Sequence, residues 1–383
     1  MIGKLSVWQA STQRYSRLPS VRIALLLVLL VILIFTSLSA VSTGAVNIKR
    51  DEVFKISVDA ITDKLHIRYN SGLDYAARCL PGQSCIQRDA ALIREIRWPR
   101  VIMAGLVGAS LAIAGTALQG ALRNPLADPG LIGASSGAAV GAVTAILLGV
   151  NLGDLLNSDA PALARLTQSL FAFGAALITT FGVFRLARWQ GRTDSTALLL
   201  IGLAINTMAS AYIGLATFIS DSREVNDIIF WSLGSFAEIF WRDVYVVLPF
   251  TALSVVILPF LARQLNLMTL GESEAQHLGV NAERLRLICV GLAAMTVGVS
   301  VAFAGMIGFV GLVVPHLIRF FTGPDHRIVL PASVLTGAIL MIAADLWART
   351  VAVPTEVPIG IVTALFGGPV FLLLIILSRR GRG

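Results

Sequence analysis

Residues 271–286 read "GESEAQHLGVNAERLR", with glutamates, a histidine and arginines on either side of a glycine, and long apolar runs lie before and after them. A chain that turns polar so briefly between apolar runs is threading a bilayer and surfacing for one short loop. Composition agrees. The chain is 56% hydrophobic and 14% charged, with mean hydropathy +0.80, whereas soluble domains carry about 25% charged residues. A single core of 383 residues cannot hide that much apolar surface, which leaves lipid as the solvent.

A membrane-spanning helix needs about 20 mostly apolar residues. Ten such runs are readable, at 23–43, 101–121, 131–150, 169–187, 196–219, 244–262, 287–304, 306–321, 330–350 and 358–378. The expected fold class is an all-α polytopic membrane protein with one membrane domain, 23–378, between tails at 1–22 and 379–383. The larger excursions are an outer loop over 45–100 and an inner one over 266–286.

The net charge of +8 invites a nucleic-acid partner, but the placement of the charges argues for a membrane. With the N-terminus inside, inner segments collect Arg185, Arg188, Arg192, Arg263, Arg284 and Arg286 among others, while the short outer loops hold only Arg165, Arg223 and Arg242. That is the positive-inside bias, and it puts both termini in the cytoplasm of a bacterial inner membrane. The outer segment 45–100 contains ten Lys and Arg, yet segments of that length translocate regardless of charge. The start of the chain has the basic residues, apolar run and small Ser39, Ala40 and Gly44 of a cleaved leader. Its apolar run is long enough to span, and cleavage would upset the charge bias.

Local patterns add detail. In "DAALIREIRWPR", residues 89–100, Ala90, Ala91, Ile93 and Ile96 would form the apolar face of a short surface helix. Residues 223–242 are too interrupted to span, and their tryptophans and phenylalanines suit an interfacial aromatic belt. Cys79 and Cys85 flank a Pro-Gly turn in the outer loop, where an oxidising periplasm would permit a disulfide. "NPLADPG" at 124–130 cannot continue a helix. After it, Gly133, Gly137 and Gly141 stand four apart, a spacing for close helix packing. Gly133, Ser135, Ser136 and Asn206 are also the candidates for a translocation path. "SLAIAG" at 110–115 recurs as "SVAFAG" at 300–305 in a span of opposite direction, as inverted repeats of transporters require.

Ionisable residues within the spans are few: His316, Asp345 and Arg349. Asp345 and Arg349 are one turn apart and can neutralise each other, and His316, after Pro315, would satisfy a freed backbone group. The histidines are scattered without cysteine or carboxylate clusters, so no metal site is expected, and no nucleophile or paired-carboxylate pattern points to an enzyme. Nor is there a G-x-x-x-x-G-K-[ST] phosphate loop. Uphill transport would therefore need a partner or an ion gradient.

In the opening stretch, Glu272 and Glu274 favour the start of a short helix, with Ala275 and Leu278 as its apolar stripe. Gly279 suits a left-handed stop, and Asn281 a cap for the helix leading into the seventh span. Two short helices held at an angle form a surface for another protein to press; an amphipathic helix resting on the membrane is the alternative.

The segments "RWPR…GASLAIAGTALQGALRNPLADPGLIGASSGAA", "GESEAQHLGV", "GFVGLVVPHLIRFFTGPDHR", "ADLWART" and "PTEVPIGIVTALFGGPVF" resemble, in order over 90–378, the permease subunits of iron-chelate, haem and vitamin B12 ABC importers. Trp98 replaces the leucine of that family's R-L-P-R motif, and the outer loop is longer than usual. The resemblance implies a type II ABC importer fold with an inverted repeat and a homodimer of ten-helix subunits. It also implies two cytoplasmic ATP-binding subunits holding the ATP and magnesium, a periplasmic binding protein, and no cofactor on this chain. It makes Glu272, Glu274, His277, Leu278 and Gly279 the coupling contact with the ATPase, and Arg97, Arg100 and Arg349 the posts that receive acidic residues of the binding protein. Haem ranks first as cargo, then a ferric siderophore, then cobalamin. An ion-coupled secondary transporter and a membrane scaffold are the readings from other classes.

Overall fold

The computed structural model describes residues 19–44, 48–64, 86–150 and 161–380. Among these residues every predicted span is a helix: α1 (Pro19–Ser42), α4 (Trp98–Ala121), α5 (Ala134–Leu147), α6 (Pro161–Leu186), α7 (Ser195–Ile219), α9 (Trp241–Phe260), α12 (Ala282–Ala304), α13 (Val310–Thr322), α14 (His326–Ala348) and α15 (Ile359–Arg380). Between them lie α2 (Arg50–Lys64), α3 (Ile86–Ala91), α8 (Ser222–Leu233), α10 (Ala262–Met268) and α11 (Glu272–His277). The small hairpin β1 (Arg188–Trp189) and β2 (Arg192–Thr193) completes the described elements.

Seven of the apolar helices are long enough to cross a bilayer, while α5 and α13, at 14 and 13 residues, fall short. Both short helices are entered through non-helical backbone that ends in a left-handed residue, Gly133 (φ 89°) and Phe309 (φ 68°). Such backbone is stable at membrane depth only when protein surrounds it, and Gly133 is buried.

The bundle has a centre and a rim. The innermost helix is α4, packed against α9, α12, α13 and α14, whereas α1 and α7 are mostly exposed. Small residues make this possible: a Cβ on Gly108 would collide with the Gly337 carbonyl, and one on Gly115 with that of Gly311. The Gly133/137/141 spacing is likewise a packing seam, since a Cβ on Gly137 would stand 2.7 Å from the Ala175 carbonyl of α6. Where no water can enter, hydroxyls satisfy one another. Ser110 of α4 meets Thr251 of α9 at 2.8 Å and Thr296 of α12 at 3.0 Å. The two echoed segments thus lie at buried positions of helices that pack together.

The 89–100 segment corrects the expected surface helix. Ala90 and Ile93 are buried but Ala91 and Ile96 are exposed, and residues Leu92–Arg97 form a π-helical turn. The buried row runs through Ala90, Ile93 and Arg97 instead. Residues 223–242 are interrupted as expected, with Asp221 and Glu224 forming a capping box at the start of α8 and a non-helical stretch before α9. Arg165 and Arg242 both lie over the ring of Phe240, at 5.3 and 5.4 Å.

Candidate functional site

One end of the bundle carries the 271–286 loop. Met268 ends α10, Gly271 (φ 131°) redirects the chain, and α11 follows for six residues. Gly279 (φ 85°) stops it: its N–H reaches Gln276 O at 2.9 Å, and Val280 N–H reaches Ala275 O at 2.9 Å. These two bonds form a Schellman stop, whose usual apolar contact falls between buried Val280 and Ala275. The Asn281 side chain then accepts from Arg284 N–H at 2.9 Å to cap α12. Leu278 is 59% exposed, so it does not share a buried stripe with Ala275.

Beneath the crest lies an ionic brace built on Arg286, 2% exposed. It donates to Glu272 at 2.6 Å, to Glu283 at 2.7 Å and to the Ala121 carbonyl at the end of α4. Glu283 in turn accepts from Thr193 N–H and Oγ1, both at 2.8 Å, which ties in the β1–β2 hairpin. Of the five residues expected to form the contact, Glu274, His277, Leu278 and Gly279 stand on the exposed crest, while Glu272 is turned inward onto Arg286. The chain of sequence alone did not bring out Thr193, Glu283 and Arg286; the i,i+3 spacing of Glu283 and Arg286 was the one signal available.

The opposite end carries Arg97, Arg100 and Arg349, the arginines expected to receive the binding protein. Arg97, Arg100 and Arg349 are only 7–8% exposed. Arg97 Nη1 donates to the Val41 and Ser42 carbonyls at 2.6 and 3.2 Å, and Arg349 Nη2 donates to the Ala40 carbonyl. Two arginines therefore cap the C-terminus of α1, where unpaired carbonyls and the helix dipole favour cations. Arg100 grips Asp345 at 2.8 Å and Glu356 at 2.8 Å. The expected Asp345–Arg349 pair is loose at 3.7 Å, because Arg100 has taken the carboxylate. Trp98, the departure from the family motif, donates from Nε1 to Ser57 of α2 at 2.9 Å, so the unusual residue fastens the outer loop's own helix.

The candidate path residues are partly scattered. Gly133 begins α5, Ser136 donates back to the Gly133 carbonyl at 3.3 Å, and Ser135 beside it is half-buried. Asn206 of α7 donates to the Gly130 carbonyl at 3.2 Å, bridging to the same turn, and its Oδ1 is buried without a partner among the described residues. His316 does not serve freed backbone: its Nδ1 has no hydrogen-bond partner among the described residues, and its ring packs edge-on against Phe371. Arg319 donates to Gln119 Oε1. Cys79 and Cys85 lie outside the described residues.

This architecture has relatives. A hemin transport system permease of Yersinia pestis is 43% identical over 288 residues, covering 75% of this chain and 84% of its own length. A cobalamin import system permease of Halobacterium salinarum is 41% identical over 284 residues, 74% of this chain and 73% of its own. A vitamin B12 import permease of Escherichia coli is 39% identical over 302 residues, 78% of this chain and 88% of its own. A solved inward-facing metal-chelate type ABC transporter superposes with TM-score 0.71 at 32% identity, covering 92% of this chain and 98% of that one. The model of the FecCD transport family matches residues 21–377, and the chain belongs to that family.

Proposed function

We propose that this chain is the membrane path of an importer that takes haem from a periplasmic binding protein to the cytoplasm, driven by ATP hydrolysed in separate subunits. The observation that carries the reading is α11: an exposed six-residue crest whose base is locked to α4, α12 and the β-hairpin through Arg286. A load applied at Glu274, His277 and Leu278 passes rigidly into the central helices, as an ATPase partner would need. The positive-inside bias sets this end, with both termini, in the cytoplasm. Arg97, Arg100, Arg349 and Glu356 then stiffen a periplasmic platform beneath the binding protein, with half-exposed Glu356 presented to it.

A homodimer fits the rim helix α7. Thr207 and Ser210 are exposed there, and each bonds the carbonyl four residues back at 2.9–3.0 Å. A hydroxyl row beside Asn206 suits a path between two copies better than lipid. Haem is placed first because a relative at 43% identity carries hemin in its name, and cobalamin follows through those at 39–41%. Ion-coupled transport is disfavoured, because the one carboxylate expected within the spans, Asp345, is held by Arg100. Reconstitution with the ATPase subunits and binding protein in liposomes tests this: haem uptake dependent on ATP is expected. Uptake driven by a proton or sodium gradient without ATP would refute the mechanism, and ATP-driven uptake of cobalamin alone would refute the cargo.

A further inference from the structure

Three helices, α1, α9 and α14, leave between them a groove of about 400 Å³ lined by Ile23, Leu26, Leu30, Pro259, Pro331 and Val334, with almost no polar surface. Two prolines line it, Pro259 in the last turn of α9 and Pro331 inside α14, where proline removes a backbone bond. Water finds no partners there, and Ile23 is 60% exposed on its rim, which opens the groove to the bilayer.

Arginines gather at one end of this groove: Arg22 of α1, Arg327 of α14 and Arg263 of α10, the short helix that follows α9 after a break at Leu261. Arg22 is four residues from Leu26 and Arg327 four from Pro331, one helical turn in each case. Their ends are joined at the same level: Arg22 pairs with Asp325 at 2.8 Å, and Asn266, just past Arg263, donates to Asp325 at 2.7 Å. Asp325 offsets one of the three charges. Arg263 and Arg327 are exposed.

We propose that the groove is a site for one anionic phospholipid, an acyl chain lying along Leu26, Leu30 and Val334 and the phosphate headgroup held by Arg263 and Arg327. Apolar lining and cationic mouth together match that amphiphile, and the headgroup end coincides with the end of the bundle that carries α11. A second copy of the chain would instead have to bury these arginines against each other.

Native mass spectrometry of the full chain in mild detergent tests the site, with phosphatidylglycerol and phosphatidylcholine of identical acyl chains as probes. Retention of phosphatidylglycerol on the order of tenfold above phosphatidylcholine is expected, given the attraction of basic residues for anionic headgroups. Arg263→Gln with Arg327→Gln should abolish the preference while weak binding of both lipids persists, and Val334→Phe, which fills the groove, should remove both. Equal retention of the two lipids overturns the proposal, as does undiminished phosphatidylglycerol binding in the arginine variant. So does a change of oligomeric state in Val334→Phe, which would make the groove an interface. The surface arginine variant keeps the test decisive if Val334→Phe does not fold.

Discussion

Arg100 of α4 holds Asp345 of α14 in a fork, Nε to Oδ1 at 3.0 Å and Nη2 to Oδ1 at 2.8 Å, and turns Nη1 to Glu356 at 2.9 Å. This triad joins the outer ends of the two most tightly packed helices. It also leaves Arg349 to the carbonyl terminus of α1 rather than to its own helical neighbour. The consequences can be measured.

Removing one partner of a buried ion pair strands the other, at a cost of about 3–5 kcal/mol, whereas replacing the pair by apolar residues can be neutral. Arg100→Met and Asp345→Asn should each lower the thermal midpoint in detergent by many degrees, and the double change Arg100→Met with Asp345→Leu by clearly less. Additive losses in the double variant would show that the fork is not the interaction that matters.

The seam of α4 has no room for a methyl group. Gly115→Ala would drive a Cβ into the Gly311 carbonyl, whereas Gly174 has nothing within 4 Å of its Cβ position. Overpacking typically costs about 1–3 kcal/mol, so Gly115→Ala should destabilise the protein in thermal unfolding. Gly174→Ala should leave it unchanged or slightly firmer, as alanine favours helix. Equal effects of the two substitutions contradict the packing described for α4.

Gly279 separates conformation from sterics. Nothing lies within 4 Å of its Cβ position, but φ is 85°, a region that costs an L-residue about 1–2 kcal/mol and that asparagine visits most readily after glycine. Gly279→Val should weaken ATPase-subunit binding and transport with little change in thermal midpoint, and Gly279→Asn should restore much of both. Intact transport in Gly279→Val would remove the crest from the coupling role.

Asp128 sits half-buried in the "NPLADPG" turn, accepting Gly130 N–H at 2.8 Å. Burial pushes its carboxyl up to about 6, partly countered by that bond. A raised carboxyl pKa means stability that is fully present below the unfolded value and lost as pH rises through the folded one. Asp128→Asn keeps the acceptor and discards the charge. It should raise the stability at pH 7.5, by on the order of 1 kcal/mol, and with it the thermal midpoint, the gain shrinking as pH falls below 6. A gain that grows on acidification would reverse the sign and exclude a buried carboxylate as its source.

That the ten apolar runs are helical was legible in the chain, though α6 begins eight residues before its run and α12 five before its own, because in lipid each helix must satisfy its own backbone and expose apolar side chains, a rule that acts locally. Gly279, Asn281 and the glycine seam of α5 were legible for the same reason: a left-handed stop, a cap and a four-residue spacing are short-range facts. What the sequence could not decide is which charge meets which. Arg100 and Asp345 are 245 positions apart and Arg97 and Val41 are 56 apart, so no periodicity links them, and the candidate nearest in sequence, Arg349, is the looser of Asp345's two arginine partners. The burial of Arg97 and the exposure of Leu278 were likewise decided by what packs against each of them, which no spacing in the chain records. Local backbone rules placed the elements; the pairing of buried charges waited for helices distant in sequence to be brought together, since only then does desolvation force each charge to find a partner.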